Sequence, residues 1–381
     1  MIAHKNVITK EVCFNKIIKK FRYGFTLLHY VDEKRIVQIT NAFGKTGIGN
    51  YSRWINIAAH EFSKMYLLDG LKDENPVGEI EEIKAMGLPF TTNWWFRNHF
   101  PSIAYLKFIN SIKKIREQRK IIIHCLNPGV PFIGDVVDLV TFHDIIAMKS
   151  SDNSSRAYIK LMRSNFKKYF NVGNAIVTTN YVKRDLESFG YTGTVHVIGY
   201  PVDKSFFCIN DKAAIRKKLG LPLDKKILLS VSTPEPRKNI KIIQKVMESF
   251  SDNYELVRVG RGIEANKTYE NLSPAELNLL YNSADVFLST SLEEGFGLPS
   301  IEAMACGLPV VLSDREFFRE VADNAAVYVD PLDIESIKYG VEEALSDSQE
   351  LIKKGKIRAN YYSFENFSKS LKGLYVKLLN S

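Results

Sequence analysis

The sequence predicts an α/β protein made of two doubly wound domains. Its 381 residues exceed what one ordinary core holds, since single cores stop growing at about 250 residues. Short apolar, β-rich runs alternate with helical stretches from Arg35 to about Tyr200, the pattern of a parallel sheet covered on both faces. The alternation then restarts after Tyr200-Pro201-Val202-Asp203, which has the composition of a linker.

The elements follow in order. Arg35 to Thr40 reads as the first strand. A loop holding Gly44, Gly47 and Gly49 is expected next, then a helical run from about Tyr51 to Lys64, which together make one α/β unit. Further strands are expected at Lys120 to His124, Val136 to Phe142, Ala175 to Thr179 and Val195 to Ile198. In the second half, strands are expected at Lys226 to Ser232, Tyr254 to Val259, Asp285 to Thr290 and Val310 to Leu312, with helices at Ile240 to Phe250, from Pro299, and after Phe364. The expected division is a basic extension over 1–34, a first domain over 35–200, a second over 201–363 and a terminal helix over 364–381. In the extension, Phe14, Ile17, Ile18 and Phe21 recur at helical spacing among lysines, which fits either a basic helix on a membrane surface or an ordinary surface helix.

Composition excludes several classes. Hydrophobic residues make up 45% and charged residues 25%, so a disordered chain or a fibre is not expected. No run of about 18 apolar residues and no signal-peptide pattern is present, so a cytoplasmic location is expected, with the inner face of the membrane as a variant of it. Cys13, Cys125, Cys208 and Cys306 show no metal-ligand pairing. Residues 1–200 hold 28 Lys/Arg against 17 Asp/Glu, a charge of +11, while the remainder carries −2. That asymmetry suits an anionic partner such as a bilayer surface or a phosphorylated acceptor, and equally a solvated face.

Two segments carry the chemistry. In Ser291 to Val311 a strand gives way to a glycine loop and a helix start. Pro299 suits the first helical turn and Gly307 the cap, giving a helix from Pro299 to Cys306. Free N–H groups at Leu298, Ser300 and Ile301 are then expected to face phosphate. Glu294 and Glu302 flank that tip, better suited to sugar hydroxyls than to phosphate, and Gly295 and Gly297 allow close backbone approach. The second segment, Ser232-Thr-Pro-Glu-Pro-Arg-Lys-Asn239, again joins a strand to a helix and sets Arg237 and Lys238 at a sheet edge, where two cations can neutralise a diphosphate.

The segment from Glu294 to Glu302 resembles the Glu, seven residues, Glu signature of glycosyltransferase family 4. Glu235 to Asn239 resembles that family's basic phosphate loop, and Val140 to Ile145 its first-domain His-Asp strand end. Gly47 to Tyr51 resembles its N-terminal glycine loop, and the whole likeness covers residues 35 to about 370. It implies a GT-B architecture, two Rossmann-like domains facing across a cleft, with the last helix crossing back to the first domain. It also implies a nucleotide diphosphate-sugar donor, a hydroxyl acceptor, retention at the anomeric carbon, and no metal or other cofactor. By the same resemblance Arg237 and Lys238 hold the diphosphate and Glu302 the ribose. Glu294 with the Phe296 and Gly297 backbone holds the sugar, and His143 touches it. Gly295, Leu298 and Gly260 complete the donor set, while Gly47 and Gly49 shape the acceptor side. Family members often carry Gly-Arg after the strand that here ends in Ser232-Thr233, so Arg237 stands where a substitute is needed.

Rival readings are a GT-B epimerase or phosphorylase, and a catalytically silent scaffold at a membrane. Nucleic-acid binding would rest on charge and on Trp94-Trp95-Phe96-Arg97, which suit an acceptor-side loop or core better. A lipid-linked or cell-surface glycan acceptor agrees with the basic first half.

Overall fold

The computed structural model describes residues 34–43, 47–72, 80–83, 103–130, 134–149 and 163–381. Cys13, Gly44, the amphipathic pattern before residue 34 and Trp94 to Arg97 lie outside the described residues. Two sheets organise the chain. The first contains β1 (Ile36–Phe43), β2 (Ser63–Lys72), β3 (Ile80–Ile83), β4 (Ile122–Cys125), β5 (Leu139–Phe142), β6 (Asn174–Val177) and β7 (Thr194–Val197), in the order β3-β2-β1-β4-β5-β6-β7. The second contains β8 (Lys226–Val231), β9 (Tyr254–Val259), β10 (Lys267–Tyr269), β11 (Val286–Ser289), β12 (Val310–Ser313) and β13 (Val327–Val329), in the order β10-β9-β8-β11-β12-β13. Every strand pairing in both is parallel.

The apolar runs account for this. Ile227, Leu228 and Leu229 of β8, and Val310, Val311 and Leu312 of β12, are buried as consecutive residues, which requires cover on both faces and so a parallel sheet between helices. Both strand orders reverse direction next to their first strand, at β1/β4 and at β8/β11. Open α/β sheets bind ligands in the crevice at such a reversal, outside the carboxyl ends of the strands. The fold is therefore the expected two-sheet α/β arrangement.

Two local expectations are corrected. Gly47 and Gly49 do not lie in a loop; they open the helix Gly47–Ala59. Its first turn is pinned by Ser52, whose Oγ donates to the Ile48 carbonyl at 3.1 Å and lies 2.8 Å from Thr40 Oγ1 at the end of β1. The helix also stops before Lys64. Ser63 Oγ donates to the Ala59 carbonyl at 2.8 Å, and Met65, Tyr66, Leu67 and Leu68 are all buried, a pattern that belongs to an inner strand rather than to one helical face.

The helix Phe364–Asn380 is capped by Ser363, whose side chain accepts from Asn366 N–H. It returns to pack on the helix Gly47–Ala59 and on β4. Phe367, Leu371, Leu374, Tyr375 and Leu378 form its buried stripe, at the spacing of one helical face. Tyr375 fixes the docking. Gln38 Nε2 donates to its hydroxyl at 3.4 Å, and that hydroxyl lies 2.7 Å from His124 Nδ1. His124 Nε2 lies 2.8 Å from Thr141 Oγ1, so both ring nitrogens are engaged by hydroxyls. Burial lowers the His124 pKa to about 3, so the ring stays neutral at neutral pH. Replacing Tyr375 by Phe keeps the ring contacts and orphans His124 Nδ1. The expected loss is about 1–3 kcal/mol of stability, measured by urea unfolding with an unchanged m-value.

Candidate active site between the two sheets

The site is assembled where the β8 and β11 loops meet. After β8 the chain makes a short 3-10 turn, Pro236–Lys238, which ends at Asn239 in the left-handed region with φ +50°. Asparagine tolerates that conformation better than other side chains, and its Nδ2 donates to the Pro331 carbonyl at 2.7 Å. The β11 loop is tied to the turn by Thr290 Oγ1 donating to Asn239 O at 3.1 Å and by Leu292 N–H donating to Arg237 O at 2.7 Å.

These ties bring the charged residues together. Arg237 Nη1 donates to Glu293 O at 3.0 Å and to Glu294 Oε2 at 2.9 Å, while Nη2 pairs with Glu235 Oε2 at 2.6 Å. Lys238 Nζ pairs with Glu294 Oε1. Arg237, Lys238 and Glu294 thus form one cluster at the β8/β11 reversal. Glu294 is not a solvated surface acid.

The following loop presses against the first domain. Gly295 has no room for a side chain, since an added Cβ would come within 2.3 Å of the His143 carbonyl oxygen. Its own carbonyl accepts from Thr178 Oγ1 at 3.0 Å and Thr179 Oγ1 at 3.1 Å. Phe296 is buried between Tyr200 and Tyr362, with ring centroids 5.2 and 5.0 Å away. Gly297 adopts φ +83°, and a Cβ there would lie 2.6 Å from the Phe318 ring. The helix that follows is Leu298–Ala305. The sequence predicts a free Ser300 N–H, but this group donates to Gly297 O at 3.0 Å, because the first turn tightens onto the left-handed glycine.

Glu302, one turn into that helix, accepts from Tyr281 OH at 2.8 Å. Burial raises its pKa to about 7, opposed by the Tyr281 hydrogen bond. Gly260 ends β9 at φ +106° and abuts the Ser232 carbonyl, which a Cβ would approach to 2.2 Å.

His143 stands on the first-domain side, but its ring is engaged at both nitrogens. Nε2 lies 2.8 Å from Leu126 O and Nδ1 lies 2.6 Å from Tyr200 OH. Nε2 therefore carries the proton and Nδ1 accepts, and burial lowers the pKa to about 4. Both ring nitrogens are thus occupied by groups of the first domain. Asp144, the next residue, accepts from Ile146 N–H at 3.0 Å, and burial raises its pKa.

Sequence reasoning missed the residues that join the two halves. Lys149 Nζ bridges Glu293 Oε1 at 2.7 Å and Asp185. Glu320 caps the helix Asn180–Ser188, accepting from Asn180 Nδ2 at 2.8 Å and Tyr181 N–H at 2.9 Å. The polar pair Thr178-Thr179 directly after an apolar strand was a visible signal. Glu320 carried none, since nothing local relates it to a helix start 140 residues earlier.

Residues 211–361 match the family model described as glycosyl transferases group 1. The chain is 26% identical over 262 residues to O-antigen chain mannosyltransferase B of Escherichia coli, covering 60% of this chain and 67% of that protein. It is 29% identical over 229 residues to O-antigen chain mannosyltransferase RfbU of Salmonella typhimurium, covering 55% and 62%. The aligned stretches span only about two thirds of these relatives. Among solved structures, sucrose-phosphate synthase from Thermosynechococcus elongatus superposes with a TM-score of 0.70 at 19% identity, covering 91% of this chain and 100% of that one. Anabaena HepE in complex with UDP gives 0.70 at 13%, covering 90% and 100%. The fold is GT-B, and the similarities support a glycosyltransferase. Among the described residues no helix is long and apolar enough to cross a membrane.

Two outcomes follow from this geometry. Gly295→Ala forces the loop off the His143 carbonyl, so activity is expected to fall at least tenfold, while far-UV circular dichroism stays unchanged. Glu302 has a folded pKa raised above its ordinary value of 4.5, so wild type holds a proton that the unfolded chain has lost at pH values between the two. Its contribution is fully present below pH 4.5 and is lost as pH rises through about 7. Glu302→Gln keeps the Tyr281 bond without titrating, so the variant should gain stability relative to wild type between pH 5 and 8 in parallel denaturation curves.

Proposed function

We propose that this protein transfers a sugar from a nucleoside diphosphate-sugar to a hydroxyl acceptor with retention of anomeric configuration. The observation that carries the reading is the convergence of Arg237, Lys238 and Glu294 at the β8/β11 reversal, opposite the first-domain edge. Arg237 and Lys238 are assigned to the diphosphate, where preorganised charge stabilises the leaving group. Glu302 is assigned to the ribose hydroxyls, and Glu294 with the Gly295 to Leu298 backbone to the sugar. The donor also passes along Gly260. His143 serves as a support: its two hydrogen bonds lock Tyr200 against Phe296 and so hold the sugar loop in place.

In the proposed step the bond from the anomeric carbon to the β-phosphate oxygen breaks. The acceptor oxygen attaches from the same face, and its proton passes to the β-phosphate oxygen as the nucleoside diphosphate leaves. No enzyme nucleophile, metal or other cofactor takes part. Closure of the two domains excludes water that would hydrolyse the donor. The names of the bacterial relatives favour mannose as the sugar and a polysaccharide of O-antigen type as the product. A lipid-linked acceptor presented at an anionic membrane surface agrees with the charge of +11 on residues 1–200, and Gly47 and Gly49 stand at the acceptor side of the cleft. A cytoplasmic location belongs to the same proposal.

The test is a nucleotide-sugar screen by thermal shift and donor hydrolysis, readouts that need no known acceptor. A nucleoside diphosphate-mannose should raise the melting temperature most, and a flat response to all donors overturns the reading. Lys238→Ala should lower turnover by about a hundredfold or more. Near-normal rates would remove Lys238 from the diphosphate site.

A further inference from the structure

Arg258 lies in β9 and is fully buried, with 0% of its surface exposed. A buried guanidinium is ordinarily matched by a carboxylate. All four of its hydrogen bonds instead reach neutral oxygens. Nη1 donates to Ser230 Oγ at 2.9 Å and Ser232 Oγ at 3.1 Å, and Nη2 donates to Ser232 O at 3.0 Å and Arg261 O at 3.3 Å. Nε has no hydrogen-bond partner. Such acceptors orient the group without cancelling its charge, and although burial lowers its pKa to about 10, it remains a cation at neutral pH.

The position of this charge matters because of how the neighbouring charges are spent. Arg237 and Lys238 are bound to Glu235 and Glu294, two cations against two carboxylates, so that cluster by itself is close to neutral. Ser232, which Arg258 grips through both backbone and hydroxyl, begins the turn that carries them. Gly260 and Gly262, both at positive φ, let the β9 loop close onto Ser232 and Pro234, where a Cβ would come within 2.2 and 2.7 Å. Arg258 therefore sits behind the joined ends of β8 and β9, in a medium where an uncancelled charge acts over longer range than in water.

We propose that Arg258 is a positioning residue that supplies the uncancelled positive charge for a nucleoside diphosphate bound at the turn after β8, holding the Ser232 end of that turn toward it. This rests on the glycosyltransferase reading above.

Isothermal titration of the full chain with GDP and UDP, and displacement measurements with guanosine and uridine, test it. Relative to wild type, Arg258→Met should bind the preferred diphosphate at least tenfold more weakly, about 1.4 kcal/mol, while the uncharged nucleoside changes less than threefold. Arg258→Lys, which keeps the charge, should stay within about threefold for both. Equal losses for diphosphate and nucleoside, or a Met variant that binds like wild type, overturn the proposal and leave the functional reading standing. If wild type binds neither diphosphate, the functional reading itself falls and this proposal with it. Should the Met variant not fold, the Lys variant decides: a tenfold loss of diphosphate affinity overturns the assignment.

Discussion

The arrangement depends on one contact, the carbonyl of Gly295 held by the hydroxyls of Thr178 and Thr179. Those threonines directly follow a strand of the first sheet, and Gly295 lies in the loop after a strand of the second. The missing side chain permits the approach, because any Cβ would overlap the His143 carbonyl. This contact, with the Lys149 to Glu293 pair beside it, registers the charged cluster of Arg237, Lys238 and Glu294 against the first domain, so its geometry depends on both halves of the chain.

Around that contact the structure adds rigid material on one side and ionic links on the other. Phe296, Tyr200, Tyr51 and His143 form a continuous aromatic group behind the loop, with three edge-to-face pairs and one stacked pair, both favoured geometries for aromatic rings. The Lys149 to Glu293 pair and the Glu320 cap lie nearer solvent, where ion pairs are weak and exchange partners readily. The turn just before the terminal helix joins the aromatic side, since Tyr362 packs on Phe296 while its carbonyl accepts from Val202 N–H at 2.8 Å.

Charge is distributed with similar economy. Carboxylates already match the cations of the loop, and Arg258, fully buried, is left unmatched behind them. Burial also keeps His124 and His143 neutral, so each ring serves as a fixed donor and acceptor instead of a titrating switch. Glu302 is the exception, a buried acid whose proton leaves near neutrality.

Much of this was readable from residue order. Consecutive β-branched runs dictated parallel strands, and the expected β9 agrees with the observed Tyr254–Val259 at both ends. The two loops carrying Arg237, Lys238, Glu294 and Glu302 were found because each lies directly after such a run. Sequence could not place Gly47 and Gly49 in a helix, since the hydroxyl bond from Ser52 to Thr40 that pins its first turn is made across elements. Nor could it show that both nitrogens of His143 are occupied, or that Arg258 is buried without a carboxylate. Local pattern fixes which face of each element is apolar, through the periods of helix and strand. The partners of a polar side chain are set by packing between distant segments, and that only the tertiary structure decided.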